Sequence, residues 1–250
     1  MKALFVFAAL ACLAVTSEAS EPRNDLWEAI LRARVNESGE VAYRTLSKLD
    51  GERLAEYLAS LATVDPWKLD RDQAIAFWIN AYNAMVVFGV IHGGNPETLA
   101  GRAQLYHWFQ LELAGSRRTV DGIAGLLERF AAVDPRIHFA LCNATRGGPS
   151  LAAKPYVAED LDASLADAAR RFVNDPAKNR VDLARRRVDL SRLFVWHQPD
   201  FERTGGSLPG FVGDLVKHPK AGSILRRPEM STGFLEFDWR LNAAEGERPF

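Results

Sequence analysis

Apolar residues recur every three or four positions along most of this chain, and strict alternation is confined to short runs. That pattern predicts many helices and few strands. Leu26, Trp27, Ile30, Leu31 and Val35 mark a first helix, with Asn24 or Asp25 as its cap. A turn and a short extended piece follow over 38–46. Leu54, Tyr57, Leu58 and Leu61 then share one face of a second helix. The strongest segment starts at Asp70 or Asp72 and stops at Gly93 and Gly94. Its middle is apolar on all sides, which predicts a buried helix. A membrane span is the competing reading, and Asn80 and Asn83 argue against it, because an amide in lipid is costly.

The second half alternates between hairpins and helices. Residues 107–120 form a hairpin turning at Ala114, Gly115 and Ser116, and a helix begins at Asp121. Residues 137–142 read as a buried core strand, with Ile137, Phe139 and Leu141 on one face and His138, Ala140 and Cys142 on the other. A helix over 158–175 stops before Pro176. A second hairpin, a helical turn capped by Ser191, a helix with Pro209 in its first turn and a last strand complete the chain. The fold class expected is α+β, a helix-rich single domain with β-hairpins.

The chain has 250 residues, 48% of them hydrophobic, and a formal net charge of -1. The balance gives no global attraction to nucleic acid or anionic membrane. Residues 1–19 read as a signal peptide: Lys2 is the positive start, the apolar stretch is too short to span a bilayer, and Ala19 precedes the expected cut. A single domain over 20–250 remains, secreted or periplasmic, with no membrane span after cleavage. Cys12 leaves with the leader, so Cys142 stands alone and no internal disulfide is available.

Candidate chemistry centres on 138–151. Cys142 is a small buried hydrophobe in one reading and a nucleophile in the other. On a strand, His138 lies about 13 Å from it, so the base must be His92, His107 or His197. His138 is either a satisfied half-buried histidine or a catalytic residue. The loop after it brings Asn143 and Arg146, with Gly147 and Gly148, a set that suits an anion or a tight turn. Trp196, His197 and Asp200 place a histidine near a carboxylate. Asn80 and Asn83 sit three apart on one helix face. No zinc, thiol-pair or nucleophile-elbow spacing appears, so no metal or cofactor is expected.

The chain resembles the domain of unknown function 547 family. The carrying stretches are "AFWINAYNA" (76–84), "DPRIHFAL" (134–141), Pro149 to Leu151 with Tyr156, "VDLSRLFVW" with Asp200 and Phe201, and "FDWRLN" (237–242). The resemblance implies a single domain and no established activity. Asn80, Asn83, Arg136 and His138 match its pattern. Members carry cysteines where this chain has Asn143 and Gly148, and an Ile-Glu-His run where it has Ile123, Ala124 and Gly125.

Three functions follow as expectations. The first is a non-enzymatic binding or interaction module for a small molecule or a protein, motivated by the replaced thiol and acidic positions. The second is a small-molecule or anion receptor around 143–150, using Asn80, Asn83, Arg136, Asn143 and Arg146. The third is a thiol-dependent hydrolase or transferase, with Cys142 and a distant histidine, to which His138 would also contribute.

Overall fold

The computed structural model describes residues 22–217, 219–227 and 229–249. The expected signal peptide, 1–19, lies outside the described residues. The chain is α+β and helix-rich, with two small sheets.

Helix α1 (Asn24–Arg34) lays Trp27, Ile30 and Leu31 inward, and Trp27 stacks on Tyr57 with ring centroids 5.7 Å apart. The extended piece expected at 38–46 shrinks to an isolated bridge between Val35 and Val41, because α2 (Tyr43–Leu49) begins immediately after it. Helix α3 (Gly51–Leu61) buries Leu54, Tyr57, Leu58 and Leu61, the face the spacing predicts.

Helix α4 (Arg71–Ile91) is the central element. Asp70 accepts from the Gln73 amide and Gln73 returns a bond to the Asp70 amide, a capping box worth about 1 kcal/mol. It is long and apolar enough to cross a bilayer, with mean hydropathy 1.7, yet 89% of that window is buried inside the protein. Helices α2, α3 and α6 pack around it.

A short helix α5 (Leu99–Arg102) runs into a π-helical turn (Ala103–Trp108), which takes the residues expected to open the first hairpin. That hairpin is β1 (Gln110–Leu113) with β2 (Ser116–Thr119), antiparallel, Leu113 opposite Ser116. Helix α6 (Val120–Ala131) follows directly, capped by the Thr119 hydroxyl rather than by Asp121.

The core strand expected over 137–142 does not form. Pro135–Phe139 is a 3-10 turn, and Ala140–Asn143 is irregular. The physical reason is local. Asp134 accepts from the Arg136 amide and Pro135 occupies the first helical position, a start signal that sets helical dihedrals. An apolar run alone does not distinguish a buried strand from a buried helical turn.

Helix α7 (Leu161–Val173) follows a 3-10 turn at Ala158–Asp160. The second sheet orders β3 (Arg180–Asp182), β4 (Arg187–Leu190) and β5 (Ser231–Phe234), with β4 antiparallel to β3 and parallel to β5. Between β4 and β5 lie α8 (Leu193–Trp196), α9 (Gln198–Gly205), α10 (Leu208–Leu215) and α11 (Pro219–Leu225).

Two hydrophobic clusters result. One surrounds α4, and the other gathers Phe139, Phe172, Phe194, Phe201 and Phe211. The 3-10 turn straddles them, with Ile137 in the first and Phe139 in the second. His138 lies between those two residues, at the seam.

Candidate functional site

His138 is carried by the 3-10 turn and is buried. His197 sits at the junction of α8 and α9, and Asp200 lies in the first turn of α9. Their spacing of three puts His197 and Asp200 on neighbouring positions of one helix face. The His138 Nε2 atom is 2.9 Å from Asp200 Oδ2. The two imidazoles stack, with centroids 3.7 Å apart and planes 20° from parallel. Phe201 meets His138 edge-on at 5.6 Å. Arg203 donates to the other Asp200 oxygen at 3.3 Å and to the Ala132 carbonyl at 2.6 Å, which anchors the carboxylate to the end of α6.

Burial lowers the pKa of both histidines. For His138 desolvation opposes the hydrogen bond and charge of Asp200 and outweighs them. For His197 desolvation and the neighbouring imidazole together push it down to about 4. At neutral pH both rings are uncharged, so each offers a lone pair or an N–H rather than a cation.

The stacked pair borders a cavity of about 130 Å³, lined also by Tyr82, Ala124, Glu128, Asn143 and Trp196. A larger open groove of about 680 Å³ lies between Gln198–Gly210 and Arg226–Phe234. The smaller cavity is the better site candidate, because shifted titratable groups converge on it.

The other residues singled out in the sequence are dispersed over the fold. Asn80 gives its side-chain amide to the Tyr156 carbonyl at 2.7 Å and accepts from the Tyr156 amide at 2.9 Å. Asn83 does the same for the Ala140 carbonyl and the Cys142 amide, both at 2.9 Å. Each asparagine thus plays the part of a neighbouring strand for a loop that has none. Arg136 pairs with Asp134 and Asp162, each at 2.7 Å. Arg146 turns toward Glu40 at 3.7 Å and the carbonyls of Leu241 and Ala243.

The loop donors are also engaged. The Arg146 and Gly147 amides bond the Arg240 and Asp238 carbonyls, and the Gly148 amide bonds the Thr145 hydroxyl. Asn143 accepts from the Thr145 hydroxyl at 2.6 Å, yet its side chain also reaches the cavity.

Cys142 is 1% exposed. Its Sγ accepts from the Asn242 amide at 3.4 Å, and Asn242 in turn accepts from Tyr43 at 2.7 Å. Burial pushes the thiol up to about 11, against the weaker pull of the Ala144 amide and Asn242. A thiolate is therefore scarce at neutral pH. Of the three histidines considered as its base, His92 bonds the Phe88 carbonyl, His107 pairs with Asp121, and His197 stacks on His138.

The sequence shows His138 and, separately, a histidine near a carboxylate at 197–200. It holds no signal that joins them, since His138 and His197 are 59 positions apart, with α7, β3 and β4 between them.

A helix-rich α+β fold with a stacked imidazole pair, one ring buried and one half-buried, one carboxylate and a ring-sized cavity defines the class. Residues 66–173 match the family described as "Protein of unknown function, DUF547". His197 and Asp200 lie beyond the matched segment. No curated protein and no solved structure matches the chain.

Proposed function

We propose that this protein is an exported, non-enzymatic binding module. On this reading it is secreted or periplasmic, one domain over 20–250, and takes a ring-sized group of a small molecule or partner protein into the His138–His197 cavity. The observation that carries the reading is the convergence of neutral imidazoles, an amide and aromatic rings on one cavity of about 130 Å³. That volume is slightly below the roughly 150 Å³ apolar cavity that holds benzene. Ala124 and Asn143, two positions where the sequence departs from the family's pattern, line the same cavity. Two of the departures therefore fall on the site itself.

The receptor alternative around 143–150 draws support from Asn143 alone, since the loop's amides and Arg146 are engaged elsewhere. The thiol alternative has a nucleophile that is buried and held in its protonated form.

Two measurements test the reading. Imidazole, phenol and indole serve as probes in an amide-resolved NMR titration. The resonances of Tyr82, Asn143 and Trp196 should move in the wild type and stay still in Ala124→Phe, which fills the cavity. Equal binding in both proteins, or none in the wild type at millimolar probe, would overturn it. Cys142 should resist iodoacetamide until the protein is denatured. Rapid labelling of the folded chain, with an apparent pKa below the roughly 8.5 of a free thiol, would restore the thiol enzyme.

A further inference from the structure

We propose that His138, His197 and Asp200 form a binding site for a divalent first-row transition cation of the zinc type, at the floor of the cavity. The proposal rests on the reading of that cavity as the binding site and names the ligand class its polar floor selects. One potential ligand atom from each residue lies within 4.8 Å of the other two. Two imidazoles with one carboxylate suit zinc and the neighbouring divalent transition metals, and not magnesium or calcium, which prefer oxygen alone.

Two features around the cluster fit a cation. First, Arg203 holds Asp200 through Oδ1, leaving Oδ2 directed at His138. That is the carboxylate orientation an outer-shell partner provides at a metal centre. Second, no hydrogen bond among the described residues engages the ring nitrogens of His197, and its ring stacks on His138. The adjoining cavity leaves an open coordination position for water or a ligand atom.

The geometric demand is specific. In a tetrahedral site with bonds near 2.0–2.1 Å, ligand atoms stand about 3.4 Å apart. The His138 Nε2 to Asp200 Oδ2 distance of 2.9 Å must widen a little. The imidazole planes, now 20° apart, must splay so that each lone pair points at the ion. The Nε2 proton of neutral His138 moves to Nδ1 or to solvent as the metal takes its place between Nε2 and Oδ2.

The test uses Zn²⁺ and Co²⁺ alone, with no organic probe, on the purified full chain. Titration calorimetry should give one Zn²⁺ per chain, and Co²⁺ should develop visible bands that Zn²⁺ abolishes. His197→Phe keeps the ring stack and removes the ligand nitrogens, so it guards against a mere folding defect. Together with Asp200→Asn it should weaken Zn²⁺ binding by at least about tenfold, with the melting temperature retained. His107→Ala, which removes the exposed histidine beside Asp121, should bind as the wild type does. No stoichiometric binding by the wild type up to about 1 mM, in a site class that normally binds far more tightly, would overturn the proposal. So would binding that survives His197→Phe undiminished. Because Ala124→Phe reads the organic probe and His197→Phe reads the metal, failure of one reading is distinguishable from failure of the other.

Discussion

Asn143 and Gly148 explain each other at the level of single atoms. A Cβ built on Gly148 would lie 2.0 Å from Asn143 Oδ1 and 2.9 Å from the Thr145 hydroxyl. The Asn143 side chain therefore occupies the space that any side chain at 148 would need. Gly148→Ala is expected to destabilise by about 1–3 kcal/mol through overpacking. Asn143→Ala should remove most of that penalty in the double variant. A double-mutant cycle by denaturant unfolding checks it, and strict additivity would contradict the steric account. Several residues of the matching stretches have equally local work: Asn242 bonds both Cys142 and Tyr43, and Asn80 bonds Tyr156. Such work is invisible in a sequence, because a partner 76 or 100 residues away leaves no spacing signal.

At the scale of elements, legibility followed periodicity. Helices α1, α3, α4 and α7 and both hairpins stand where the apolar spacing and the turn residues put them. The failures are elements too short to establish a period, such as α2, α5 and the 3-10 turn at Pro135–Phe139. The turn was misread as a strand because its hydrophobicity was legible and its hydrogen bonding was not. Its carbonyl at Ala140 and the amide at Cys142 are satisfied by Asn83, not by a paired strand. Asn83→Ala should therefore orphan two buried backbone groups at about 1–3 kcal/mol each, roughly 2–6 kcal/mol in all. Thermal unfolding would show it, and a change within about 0.5 kcal/mol would mean that the segment finds other partners. Since Asn83 also sets where the chain leaves the His138 turn, the same variant should disturb the His138 ring environment in NMR spectra.

For the whole molecule, the candidate site owes its existence to the seam between the two hydrophobic clusters. Ile137 is fastened to one and Phe139 to the other, so His138 is held where α6 faces α8 and α9. Half of the site was legible: His138 stood out as the polar residue in an apolar run, and His197 with Asp200 as a histidine near a carboxylate. Their meeting depends on the chain's path through α7 and the second sheet, which no local pattern encodes. Burial of the pair has a consequence for stability. His197 binds its proton near the ordinary 6.5 when unfolded and near about 4 when folded. Between those values the unfolded state holds more protons, so stability falls as pH drops from about 6.5 toward about 4 and levels off below. Metal-free protein should show this loss, and His197→Phe should show less of it.

The most direct measurement of the central claim, a desolvated and pre-built His138–Asp200–His197 cluster, is the nitrogen NMR titration of the imidazoles in metal-free protein. The account predicts two neutral rings at pH 7, a His138 Nε2 proton shifted downfield by its bond to Asp200, and a His197 midpoint near about 4. A His197 midpoint at the ordinary 6.5, with no hydrogen-bonded proton on His138 Nε2, would mean a cluster open to water, and the account would be wrong.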